Sequence, residues 1–198
     1  MINSIGGDVV DNILVISSSL QGQSLLGDLI KTAGNAMPVF ASSGNEARRI
    51  LADHDFELLV INTPLSDEFG HELAVFSAQK SSAGIMLLVK NELADDVSAK
   101  VEDFGILVVS KPIGRPLFYQ ALKLIDASRK RLLGLQSENS RLQSKIEEIR
   151  LVDRAKCALI QYLDMTEPQA HRYIEKQAMD LRTTRRKIAQ NILQTYET

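Results

Sequence analysis

The segment 151–193 carries eight cationic side chains: Arg154, Lys156, Arg172, Lys176, Arg182, Arg185, Arg186 and Lys187. Such side chains neutralise phosphates, and that term supplies most of the affinity for a nucleic-acid backbone. Arginine can also stack on a base and hydrogen-bond its edge through one planar fork. Arg172 and Lys176 stand four apart, so a helix would place both on one face. Arg182 follows that stretch and Lys156 precedes it, while Arg185 opens a basic run that a helix would leave as a solvated face. Charge is unevenly divided along the chain. Residues 1–112 hold 7 Lys+Arg against 15 Asp+Glu, whereas residues 113–198 hold 16 against 10. A polyanion is therefore expected at the rear.

A second set of polar residues stands at the ends of apolar runs in the first half. Ser17 and Ser18 follow Ile13–Ile16, Asn62 follows Leu58–Ile61, and Lys111 precedes Pro112. Asparagine has no anionic oxygen with which to attack a phosphorus or carbonyl centre. Without carboxylates beside it, the set offers little to a hard divalent cation. Asp67 and Glu68 read as solvated loop charges. His54, His71 and His171 have no ligand spacing between any two, and His71 reads as a surface residue at a helix start. The single cysteine, Cys157, excludes an internal disulfide and argues against zinc. It falls in a helical apolar pattern, where it is expected to pack as a small hydrophobe. No cofactor and no metal site are implied. The polar, acidic start argues against a signal peptide, and no apolar run approaches the ~18 residues of a membrane span. A cytoplasmic protein is the expectation.

Five apolar, β-branched-rich strands are expected near 12–16, 38–41, 56–61, 85–89 and 106–109. Helices near 25–32, 44–53, 70–80 and 95–102 alternate with them, and a helix follows the last. That alternation predicts an α/β fold with a parallel sheet covered on both faces, its site at the carboxyl ends of the strands. A helix from about 117 to 163 comes next, with apolar residues on a heptad. Positions a and d hold Leu132, Leu135, Asn139, Leu142, Ile146 and Ile149, and one asparagine at a core position favours a parallel dimer in register. Beyond it, Thr166-Glu167-Pro168-Gln169 reads as a capped helix start, and Thr183 or Thr184 can cap a last helix. Many of the inward positions there are alanine, among Ala155, Ala158, Leu159, Tyr162 and Leu163, then Ala170, Tyr173, Ile174 and Ala178, then Ile188, Ala189, Ile192 and Leu193. Tyr173 is assigned to this core, although it could instead stack on a base.

The segment 151–193 resembles the ANTAR family of RNA-binding antitermination modules. The matching residues are Ala155-Lys156 with Leu159, Thr166-Glu167 with Ala170, Ala178-Met179 with Arg182, and Ile188-Ala189. Pro168 departs from the family pattern at a helix start, where proline is tolerated. The first ~110 residues resemble a response-regulator receiver domain, a five-stranded parallel, flavodoxin-like sheet. The likeness is strongest at Lys111-Pro112, Asn62 and Gly70. In receivers an acidic pair, an acceptor aspartate and a hydroxyl residue occupy the positions that are Ser17-Ser18, Asn62 and Val89 here; only Lys111 remains, as a vestige or a partner for the Asn62 amide.

These resemblances imply a degenerate phosphorylation site in a pseudo-receiver (1–124), a coiled-coil linker (125–150) and an ANTAR RNA-binding domain (151–198). The expected function is antitermination without catalysis. As a homodimer, the protein would bind hairpin loops of mRNA leaders through Lys156, Arg172, Lys176, Arg182 and Arg185, under the control of a regulatory protein or ligand-sensing partner. The alternative is a protein-interaction and dimerisation module that does not bind RNA.

Overall fold

The computed structural model describes residues 12–34 and 37–196. The opening segment, on which the expectation about a signal peptide rests, lies outside the described residues. The chain divides into two units, 1–133 and 134–198.

The first unit is a five-stranded parallel sheet in the order β2-β1-β3-β4-β5. The strands are β1 (Ile13–Ser17), β2 (Val39–Ala41), β3 (Leu58–Asn62), β4 (Gly84–Lys90) and β5 (Leu107–Lys111). Helices α1 (Leu20–Ala33), α2 (Gly44–Asp53), α3 (His71–Lys80) and α4 (Ala94–Val101) alternate with them. Side chains on a strand point alternately to opposite faces, so each strand feeds two cores. Ile13, Val15, Leu58, Val60, Met86 and Leu88 pack with α1 and with Phe118, Leu122 and Ile125 of the helix after β5. Leu14, Ile16, Leu59, Ile61, Leu87 and Val89 pack on the other face, with Ala47, Leu73, Val97 and Val101. Burial on both faces is why the strands read as unbroken apolar runs.

Two helix starts owe their position to serine. Ser19 Oγ accepts from Gly22 N at 3.1 Å, and Ser43 Oγ accepts from Glu46 N at 3.1 Å. The first of these caps starts α1 at Leu20, ahead of the expected apolar stretch. Asp67 and Glu68 are not merely solvated. Asp67 accepts from Gly44 N at 2.8 Å and Asn45 N at 2.9 Å, and these bonds hold its carboxyl below the usual aspartate range. Glu68 pairs with Arg48 through two oxygens. Both acids thus dock the α3 approach loop onto the start of α2, where negative charge is favoured. His71 is half-buried, edge-on to Phe69, with its Nδ1 buried and unpartnered; it is not the surface residue expected.

Helix α5 runs without interruption from Arg115 to Leu163. In the second unit its last turns join α6 (Glu167–Asp180) and α7 (Arg185–Tyr196). The core there is Ala155, Ala158, Leu159, Ala170, Ile174, Ala178, Ile188, Ala189, Ile192 and Leu193. Three residues expected inside are not. Tyr162 and Leu163 are exposed at the end of α5, Tyr162 stacking on Tyr196 at 5.4 Å, and Tyr173 is 38% exposed. Cys157 is exposed as well. Cys157 and Tyr173 each lie one step from a narrow stripe and are turned from it by about 100°, whereas Tyr162 and Leu163 keep the phase of Ala158 and Leu159 but stand in the last turn of α5.

Candidate functional site

The carboxyl ends of β1, β3 and β5 bring Ser17, Asn62 and Lys111 together. Asn62 Nδ2 donates to Ser17 Oγ at 3.0 Å, and Lys111 Nζ donates to Asn62 Oδ1 at 3.0 Å and to the Thr63 carbonyl. Ser17 is fully buried, and its hydroxyl reaches the Ser19 carbonyl at 3.4 Å. Ser18 is exposed, donating to the Pro64 carbonyl at 3.2 Å. Both ends of the Asn62 amide are therefore occupied within the fold. A side chain at Gly22 would place its Cβ 2.5 Å from Ser17 Oγ and 2.7 Å from Asn62 Nδ2, so only glycine lets α1 pass this close.

Val89 is the residue expected at the receiver's hydroxyl position. It is fully buried in the opposite core layer, and Leu88 lines the hollow beside Asn62. Lys111 sits below the ordinary lysine value, lowered first by burial and second by the Lys90 charge. Among the described residues no group of His, Cys, Asp or Glu is placed to hold a metal ion.

The five cations expected to contact RNA fall into two groups. Lys156 is paired, its ammonium 2.8 Å from Asp153 and 2.9 Å from Glu167. The hydrogen bonds to Asp153 and then Glu167 raise its pKa. It ties the end of α5 to the start of α6, where Gln169 accepts from Thr166 N at 2.8 Å in a capping box. Arg185 lies 3.6 Å from Glu148 and 3.8 Å from Glu175. By contrast Arg172, Lys176 and Arg182 are exposed and, among the described residues, have no ion pair or side-chain hydrogen bond. Arg172 and Lys176 share the solvent face of α6 with Tyr173, opposite the buried Ala170-Ile174-Ala178 stripe.

Arg182 has a conformation of its own. Helix α6 ends with Thr183 N donating to the Ala178 carbonyl at 2.9 Å and Arg182 N to that of Met179 at 3.1 Å. This Schellman pattern puts Arg182 at φ 47, in the left-handed region where glycine is preferred. A residue with a Cβ pays roughly 1–2 kcal/mol there. Sequence reasoning found Arg182 but not its conformation, and it sent Tyr173 to the core. Counting from Ala170 in steps of four would have turned Tyr173 outward.

The heptad residues Leu132, Leu135, Leu142, Ile146 and Ile149 are each about half exposed along α5, and Asn139 lies among them.

Comparison with known proteins agrees with both halves of this description. Residues 140–193 match the ANTAR domain family. The chain is 27% identical over 173 residues to the transcriptional regulatory protein PdtaR of Mycobacterium tuberculosis, covering 87% of this chain and 84% of that protein. A response regulator receiver domain protein from Clostridium thermocellum superposes with a TM-score of 0.56 at 17% identity, covering 63% of this chain and 99% of its own. The signal receiver domain of an HD domain-containing protein from Pseudomonas fluorescens Pf-5 gives 0.56 at 22%, covering 71% and 99%. At these identities the likeness to solved structures establishes the fold of the first unit and no more. No described helix is long and apolar enough to cross a membrane.

Proposed function

This chain carries an ANTAR domain behind a domain of receiver fold, and from that premise we propose that it binds hairpin loops of nascent mRNA leaders and prevents transcription termination. The observation that carries this reading is the exposed face of α6, where Arg172 and Lys176, next to Tyr173, have no ion pair among the described residues, with Arg182 just beyond. Side chains that spend none of their charge within the fold are available to phosphates. An exposed tyrosine on the flank of two cations suits the stacking by which loop bases are held. Lys156 and Arg185 serve first to brace the module, and either can exchange a carboxylate for a phosphate when RNA arrives.

The protein acts in the cytoplasm by stoichiometric binding, as a parallel homodimer through the heptad of segment 125–150. The half-exposed stripe from Leu132 to Ile149 is the surface such pairing would cover, with Asn139 setting its register. The receiver-like domain takes no phosphoryl group, because its acceptor position is Asn62 and its amide is already engaged. A regulatory partner then takes the place of phosphorylation. Crosslinking in the source cell followed by sequencing of the bound RNA tests the proposal. Enrichment of leader hairpins ahead of terminators is expected; recovery of RNA no better than from an uncrosslinked control refutes it.

A further inference from the structure

The hollow at the strand ends holds a cation without a counter-charge. It measures about 430 Å³ and is lined by Leu25, Leu26, Leu88, Pro112 and Ile113, with Gly22 and Asn62 at its edge and Lys111 as its one charged residue. A lysine ammonium has three hydrogens to donate. Asn62 Oδ1 and the Thr63 carbonyl take two, both neutral acceptors. Asp67 and Glu68, the carboxylates of the loop after β3, are committed to the start of α2 and to Arg48. Lys90 adds a second positive charge at the end of the neighbouring strand. A partly buried charge is costly unless paired, and among the described residues the fold supplies no counter-charge.

We propose that this hollow binds a small organic monocarboxylate, its carboxylate on Lys111 and its short apolar body against Leu25, Leu26, Leu88 and Ile113. The volume lies in the lower range of small-ligand sites, and apolar walls with a single convergent polar group are what such sites present. Lys111 is the one cation in the lining of the hollow, Lys90 being exposed and outside that lining, so a single negative charge is matched there. A phosphate dianion would leave its second charge against leucine, and a neutral molecule could accept the third ammonium hydrogen but would leave the positive charge unbalanced. The inference concerns the first unit alone and stands or falls independently of RNA binding.

Calorimetry of the full-length protein with hexanoate, hexanamide, acetate and inorganic phosphate tests it, with the Asn62 side-chain amide followed by NMR. Saturable hexanoate binding that shifts the Asn62 amide is expected. Hexanamide should bind at least about tenfold more weakly, the size of a lost charged hydrogen bond. Acetate should also be weaker, by about two- to fourfold for each missing methylene, and phosphate should not compete. Lys111→Met should abolish the preference for hexanoate over hexanamide. Leu25→Ser, at an exposed wall position that the fold does not need, should narrow the gap between hexanoate and acetate whether or not the lysine variant folds. The proposal is overturned if hexanoate does not saturate, if hexanamide binds as well, if phosphate competes as strongly, or if the Asn62 amide does not move.

Discussion

The strand ends of the first unit and the exposed face of α6 treat their polar side chains in opposite ways. At the strand ends, Ser17, Asn62 and Lys111 are linked to one another and to backbone carbonyls, so the amide has no free end for chemistry. On α6 and just after it, Arg172, Lys176 and Arg182 make, among the described residues, no ion pair or side-chain hydrogen bond that would spend their charge. The scaffolds differ in the opposite sense. The first unit has two thick apolar layers of leucine, isoleucine and valine, whereas half of the second unit's core is alanine or close to it in size. At the strand ends the Asn62 amide is satisfied within the fold, and only the Lys111 ammonium keeps a hydrogen to give. A thinly packed module that leaves cations unsatisfied is equipped for a polyanion.

That contrast can be broken by mutation, most severely in the thin core. Ala170 is fully buried where α6 meets its neighbours. Ala170→Leu should destabilise the second unit by about 1–3 kcal/mol through overpacking, read as an earlier melt of α6 and α7 amides in hydrogen exchange. No loss would mean the module is looser than the alanine contacts indicate.

The exposed aromatic sharpens the comparison from the functional side. Tyr173→Ala should cost about 1–3 kcal/mol in hairpin affinity, the range for loss of base stacking. Thermal stability should hardly change, because the ring is not part of the core. A fall in melting temperature with unaltered affinity would return Tyr173 to the packing role expected from sequence.

Arg182 separates stability from binding within one residue. Arg182→Gly relieves the left-handed backbone at φ 47 and should stabilise the protein by about 1 kcal/mol while weakening RNA binding. Chemical denaturation and a hairpin titration on the same sample read both signs. If affinity stays unchanged, the strain at this position is not kept for RNA.

The smallest effect belongs to the strand ends. Asn62→Asp restores an acceptor carboxylate, but Ser17 and Ser18 still provide no metal-binding acids. With acetyl phosphate and Mg²⁺, no increase in intact mass is expected. A phosphoryl adduct would show that the first unit is one residue from activity.

Much of the first unit was legible because a doubly covered strand is an uninterrupted apolar run, and α2 begins and ends where expected. What escaped depended on single hydrogen bonds or on one step of helical phase. The start of α1 is set by Ser19, which no apolar period reports. Asp67 and Glu68 look like loop charges until the start of α2 is in place beside them. Cys157 and Tyr173 sit next to alanine stripes too narrow to hold them. On the cationic side, the i,i+3 pair of Lys156 with Asp153 was visible in the spacing, but its second partner, Glu167, is brought in by the turn after α5.

The most direct test of the contrast is a salt series of hairpin titrations, by fluorescence anisotropy, on the full-length protein and its Arg172→Ala/Lys176→Ala variant. Each phosphate neutralised contributes about 0.7–0.9 to the slope of log affinity against log salt. Loss of both cations should therefore reduce the slope by about 1.4–1.8 and weaken every hairpin. Identical affinities and slopes for the two proteins would show that the unpaired face of α6 does not bind RNA.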